Sequence, residues 1–144
     1  MDHLLCRVEA VIFHKKEKLL LARHEKLERS YWVLPGGSVQ FGESLDFALR
    51  RELFEELNFD EVIVNELLFV DQFIDLDHKR HVVKIGFTVT IPEDEFEELS
   101  VSAQADVIKD IREFTLEEIR DSADTFYPSK DFLLNMFEAA AGND

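Results

Sequence analysis

Cysteine is nearly absent from this chain. Cys6 is the single one in 144 residues, so no internal disulfide can form and a reducing compartment is expected. A buried structural thiol is the ordinary use of such a residue. Basic residues are also scarce, 16 Lys and Arg against 31 Asp and Glu, for a formal charge of −15. So acidic a surface argues against nucleic acid or an anionic membrane as a sequence-independent partner. No uninterrupted apolar run approaches the ~20 residues that a membrane-spanning helix needs. The start, Met1-Asp2-His3-Leu4-Leu5, lacks the basic region and long apolar run of a signal peptide. Cytoplasmic location is the resulting expectation. Repeats, low-complexity tracts and linkers are missing too, which fits one domain over residues 1–144. With 46% apolar residues, 13 of them Phe, such a domain can bury a real core.

What is present is a succession of strand-like and helix-like segments. Leu5–Phe13 and Leu19–Arg23 are apolar runs flanking the polar turn His14–Lys18, which predicts a hairpin. Tyr31–Leu34 reads as a short strand leading into Pro35-Gly36-Gly37. Ser44 is placed to cap a helix whose first turn carries Asp46 and whose apolar stripe is Leu45, Leu49, Leu53 and Leu57. Val62–Ile74 and His81–Ile91 read as two long strands joined by Asp75–Arg80, followed by an acidic loop, Pro92–Leu99. A strand near Val107–Phe114 precedes a capping box, Thr115 with Glu118, that opens a short helix. After Tyr127-Pro128, Ser129 can cap a last helix with the stripe Phe132, Leu133, Met136, Phe137 and Ala140. Strands before and after a central helix, with more helices at the end, suit a mixed sheet between helices.

The central helix carries the chemistry. Glu52, Glu55 and Glu56 fall within roughly a 100° arc at 3.6 residues per turn. They lie near the negative end of the helix dipole, which disfavours carboxylates. A hard divalent cation with oxygen ligands would supply the missing counter-charge. The plainer alternative is a solvated face, in which pairs such as Arg51 with Glu55 contribute a few tenths of a kcal/mol. Gly37 and Glu43, at fixed distances upstream, favour the cation.

Written as Gly37, five residues, Glu43, seven residues, then Arg51-Glu52-Leu53-Phe54-Glu55-Glu56-Leu57-Asn58-Phe59, the segment resembles the signature box of the Nudix hydrolases. Every charged position of that box is matched. The one departure is Asn58, where the family has a glycine that ends the helix in a left-handed conformation; asparagine is the usual substitute there. The resemblance implies an α/β/α sandwich with a mixed β-sheet. It implies a hydrolase that cleaves the pyrophosphate linkage of a nucleoside diphosphate derivative with Mg²⁺, or Mn²⁺ as a substitute. Glu52, Glu55 and Glu56 would hold the metal with the Gly37 carbonyl, and Arg51 would orient the carboxylates. Glu43 would be a weaker or indirect ligand.

Family members differ in their general base. Glu52 is the first choice here, with Asp106, Glu97 and Glu98 as candidates outside the box. Bound cations would also reconcile a chain of charge −15 with an anionic nucleotide. Arg23 and His24 follow a strand and precede the glycine turn, so they are candidate phosphate contacts or ordinary surface residues. Trp32 and Tyr31 are candidate base-stacking residues or core. His78 and His81 have no metal-ligand spacing. No proline lies between Pro35 and Pro92, so the proline that follows the box in many ADP-ribose members is missing. The run from Leu19 to His24, with Tyr31–Gly37, resembles members acting on nucleotide sugars or nucleoside triphosphates. An inactive nucleotide-sensing or scaffold protein of the same fold is the alternative. The long apolar strands would leave open edges, which favours a homodimer.

Overall fold

Residues 4–103, 105 and 107–141 are described by a computed structural model. Eight strands form two four-stranded sheets. In the first, β1 (Leu4–Val11) lies between β5 (Gly36–Ser38), antiparallel, and β7 (Arg80–Thr90), parallel; β6 (Ile63–Asp75) closes the edge antiparallel to β7. In the second, β3 (Lys18–Lys26) is central. It pairs with β8 (Ile108–Thr115) on one side and with β2 (Phe13–His14) and β4 (Arg29–Val33) on the other.

The period-2 alternation of strand side chains builds two cores, one on each side of the sheets. Val8 and Ala10 of β1, with Leu20 and Ala22 of β3, pack beneath α1 (Leu45–Leu57) against Ala48, Leu49, Leu53 and Leu57. Their neighbours Val11, Leu19 and Leu21 face the other way. They join Trp32, Phe114 and Phe126 under α2 (Leu116–Asp121) and α3 (Lys130–Ala141), which add Ile119, Leu133 and Met136. Leu19, Leu20, Leu21 and Ala22 are all fully buried because β3 is covered on both faces. The expected α/β sandwich with a mixed sheet is what the chain adopts.

One expectation needs correction. The hairpin involves only Phe13–His14 with Lys18–Leu19, closed by Lys15 and Lys16 at positive φ. The rest of the first apolar run leaves it to become an inner strand of the other sheet. A run buried from Val8 through Ile12 is what a strand covered on both faces looks like, and such a strand pairs wherever both edges are met. The acidic stretch after β7 is also ordered further than a loop: Glu93–Glu98 forms a 3-10 turn that packs Phe96 on the α1 core.

Candidate active site

The sequence fixes α1 at both ends. Ser44 Oγ accepts from the Phe47 N–H at 3.1 Å, and Asn58 adopts the left-handed φ of 60° expected of it. Ahead of the helix, β5 lies hard against β1. A Cβ on Gly36 would collide with the Val8 carbonyl oxygen, and one on Gly37 would collide with the Glu52 carboxylate. Glycine is needed at Gly36, where the neighbour is backbone, whereas a side chain at Gly37 would push the Glu52 carboxylate aside. Gly37 and Glu52 are thus brought into contact.

Arg51 ties the surrounding acids together. Its Nε and Nη2 donate to the two oxygens of Glu43 at 2.6 and 2.9 Å, and Nη2 also reaches the Ser38 carbonyl at 3.1 Å. Nη1 donates to Glu52 Oε1 at 3.0 Å and to Glu55 Oε2 at 3.2 Å. A guanidinium has five N–H donors, and all five are accounted for. The hydrogen bonds from Arg51 hold the Glu43 carboxyl below its usual range, and the pairing with Glu43 and then Glu52 raises Arg51 further. Glu43 is therefore a clamp on Arg51, and Glu55 sits half exposed at the rim.

Glu52 and Glu56 form a part-buried pair. Burial first, and then the charge of Glu52, push the Glu56 carboxyl well above the ordinary carboxylate range, with Arg7 opposing. Glu56 Oε2 is buried and has no hydrogen-bond partner. Two carboxyls in contact cannot both ionise without a counter-charge, so they share a proton or take a cation. Among the described residues no three His, Cys, Asp or Glu side chains stand together as a ready cage. Mg²⁺ binds through one or two carboxylates together with water and substrate phosphates, so it does not need an all-protein cage. Glu52, the orphaned Glu56 oxygen and the Gly37 backbone fit such an ion.

The other candidates are spread apart. Adjacent residues in a strand point to opposite faces. Arg23 turns to Ser30 Oγ at 3.3 Å and to Glu25 at 3.3 Å. Trp32 is 3% exposed, with its ring edge-on to Phe114, its Nε1–H on Asp124 and the Arg112 guanidinium 5.2 Å from its centroid; it is core and leaves no face for a base. His24 lies on the face opposite to Arg23, 9% exposed, with Nε2 unpartnered. Burial first, then Arg7 and Lys26, lower its pKa to about 4. His78 pairs with Asp75 and His81 with Gln72, in the β6–β7 hairpin. Glu97 and Glu98 end the 3-10 turn, after which the Ser102 N–H donates to the Glu56 carbonyl at 2.7 Å. Asp106 lies outside the described residues.

Sequence reasoning passed over Arg7 and Glu9. Arg7 Nε donates to Glu9 Oε2 at 2.9 Å, and Glu9 is only 4% exposed. Their register partners on β7 are Lys84 and Gly86, which share a face with Arg80. Two charges spaced two apart inside the apolar run LLCRVEAVIF were the available signal.

With this geometry in view, the comparisons agree. The profile of the NUDIX domain matches residues 5–135. The low-salt glycan biosynthesis protein Agl8 of Haloferax volcanii is 34% identical over 98 residues, which is 65% of this chain and 63% of that protein. An RNA pyrophosphohydrolase of Ruthia magnifica is 35% identical over 86 residues, 55% of this chain and 47% of that one. The chain thus spans less than two thirds of either relative. The MutT protein of Methanosarcina mazei Go1 superposes with a TM-score of 0.74 at 22% identity, over 99% of this chain and 97% of that one, a likeness of fold alone. On the domain match and the box geometry together, the chain belongs to the Nudix family.

Proposed function

We propose that the domain is a pyrophosphohydrolase that uses Mg²⁺, or Mn²⁺ in its place, to cleave the phosphoanhydride of a nucleoside diphosphate derivative. The candidate substrates are a nucleotide sugar, an ADP-ribose-type compound and a nucleoside triphosphate. The observation that carries the reading is the part-buried Glu52–Glu56 pair, which has one buried, orphaned oxygen and is set against Gly37. The bound ion would lower the pKa of a water and neutralise phosphate oxygens. Glu52, steered by Arg51 Nη1, would accept the proton of the attacking water as the water oxygen meets phosphorus. The P–O bond to the leaving phosphate breaks and its oxygen departs as an anion. Glu56 and the Gly37 carbonyl would hold the ion with Glu52, and Glu55 would join from the rim. The relative named as an RNA pyrophosphohydrolase supports the reaction class.

The expected setting, from the single cysteine, is the cytoplasm. Among the described residues no helix is long and apolar enough to cross a membrane. The expected assembly is a homodimer through the open edge β6, where Ile63, Leu67, Val70, Phe73 and Ile74 are each 46–64% exposed. Light scattering behind a sizing column checks this: a mass near 16.8 kDa at micromolar concentration refutes it.

The decisive assay is a panel of nucleoside diphosphate and triphosphate derivatives with Mg²⁺, followed by the release of phosphate, pyrophosphate or monophosphate. Turnover should vanish in excess chelator. Turnover that persists in chelator, or none across the panel, overturns the reading.

A further inference from the structure

In a chain of charge −15, one group of side chains runs against the general balance. Lys26 ends β3, and its pKa is lowered by burial and then by Arg80 and Arg7. Arg80 opens β7 on the same sheet face as Arg7's register partner Lys84. Each of the three therefore stands in the field of like charges. Glu9 is the one acid hydrogen-bonded to them among the described residues. It takes only the Nε of Arg7, so both terminal nitrogens of that guanidinium are left over.

Aromatic rings complete the surroundings. His24 lies 5.6 Å from Tyr31, and Tyr31 lies 4.5 Å from Tyr127, between centroids. The unpartnered His24 Nε2 is buried beside them. Three cations that share the one carboxylate of Glu9, next to an unsatisfied buried nitrogen, make a site for an anion that brings its own oxygens. Arg7 also acts on Glu56, so the cluster adjoins the carboxylate pair.

We propose that Arg7, Lys26 and Arg80, with His24, Tyr31 and Tyr127, bind a phosphate of the substrate that is not broken away by the carboxylate pair. This rests on the pyrophosphohydrolase reading and deepens it. The favoured substrate carries a phosphate beyond the two that flank the scissile bond, as a nucleoside triphosphate does, in preference to a nucleoside diphosphate bearing a neutral sugar. The geometry divides the work. The carboxylates hold the reacting phosphate through a cation, and the basic cluster holds the other phosphate directly. The tyrosine hydroxyls add donors, since burial and then Tyr127 keep Tyr31 protonated.

Two measurements test this. The first compares kcat/KM for a nucleoside triphosphate with that for a nucleoside diphosphate hexose, in wild type and in Lys26→Gln and Arg80→Gln. Both substitutions are at exposed positions and leave the core intact. The ratio of triphosphate to hexose should fall at least tenfold in each, mainly through KM; an unchanged ratio overturns the inference. The second is calorimetric titration of inorganic triphosphate into the full chain in excess chelator. Wild type should bind it at least tenfold more tightly than the Lys26→Gln/Arg80→Gln double variant. Equal affinity overturns the inference even where nucleotides are hydrolysed. Tight, variant-sensitive binding in a protein that hydrolyses nothing supports the phosphate site while overturning the pyrophosphohydrolase reading.

Discussion

Arg51 and Arg7 both act on the carboxylate pair, and they are used in opposite ways. Every donor of Arg51 is engaged by Glu43, Glu52, Glu55 or the Ser38 carbonyl. Arg7 gives one donor to Glu9 and stands among like charges. A saturated guanidinium builds a site, whereas a half-used one is free to meet a ligand. The same residue type therefore serves structure on one side of the carboxylate pair and recognition on the other, and partner count tells which.

The sharpest way to break the comparison is at the carboxylates that Arg51 serves. Glu56→Gln removes a ligand charge with little change of volume, so a loss of about 4 kcal/mol of catalysis, or about a thousandfold in kcat, is expected. Steady-state kinetics at saturating Mg²⁺ would read it, and full activity sinks the assigned role. Next is Arg51→Lys, which keeps the charge and loses the fork. Misplaced carboxylates should lower kcat about a hundredfold. Unpaired Glu43 and Glu52 should lower stability by about 1–3 kcal/mol in urea unfolding. If lysine substitutes freely, the five-donor clamp is ornamental.

On the other side, His24 predicts acid sensitivity. Its native pKa of about 4 lies below the ordinary 6.5, so between those values the unfolded chain binds more protons than the folded one. Stability is undiminished above 6.5 and falls as pH drops toward 4, by about 3 kcal/mol at most. His24→Gln should remove that component, visible as a flatter stability profile over this range. The smallest effect belongs to His14, held between Glu113 at 2.5 Å and Glu93 at 2.6 Å. Burial lowers its pKa, but the two carboxylates outweigh this and raise it above 6.5. Its contribution, roughly 1 kcal/mol or less for so open a pair, is complete below 6.5 and lost as pH rises through the raised value. The stability gap between wild type and His14→Gln should accordingly close at alkaline pH.

Much of the carboxylate half was legible in the sequence because it is local. Helical spacing brings Arg51, Glu52, Glu55 and Glu56 together on α1, and Gly37 and Glu43 lie only a short way upstream in sequence. The caps at Ser44, Asn58 and Thr115 were readable for the same reason. The partners of β1 were not. Nothing near Leu5 announces β7, and the first apolar run looked complete as a hairpin strand. Trp32 reads as stacking or core in the sequence, and Phe114, Asp124 and Arg112, distant in the chain, make it core. The basic half draws on residues 7, 24, 26, 31, 80 and 127, which no local pattern unites.

That contrast in sequence distance has a consequence for how the chain comes to work. The capped helix and its glycine turn need only short loops to close. Pairing Leu4 beside His81 must wait for a long-range search, and such parallel pairings form slowly. Topology predicts the order of assembly: a refolding chain should gather the helix carboxylates first and the dispersed basic cluster last.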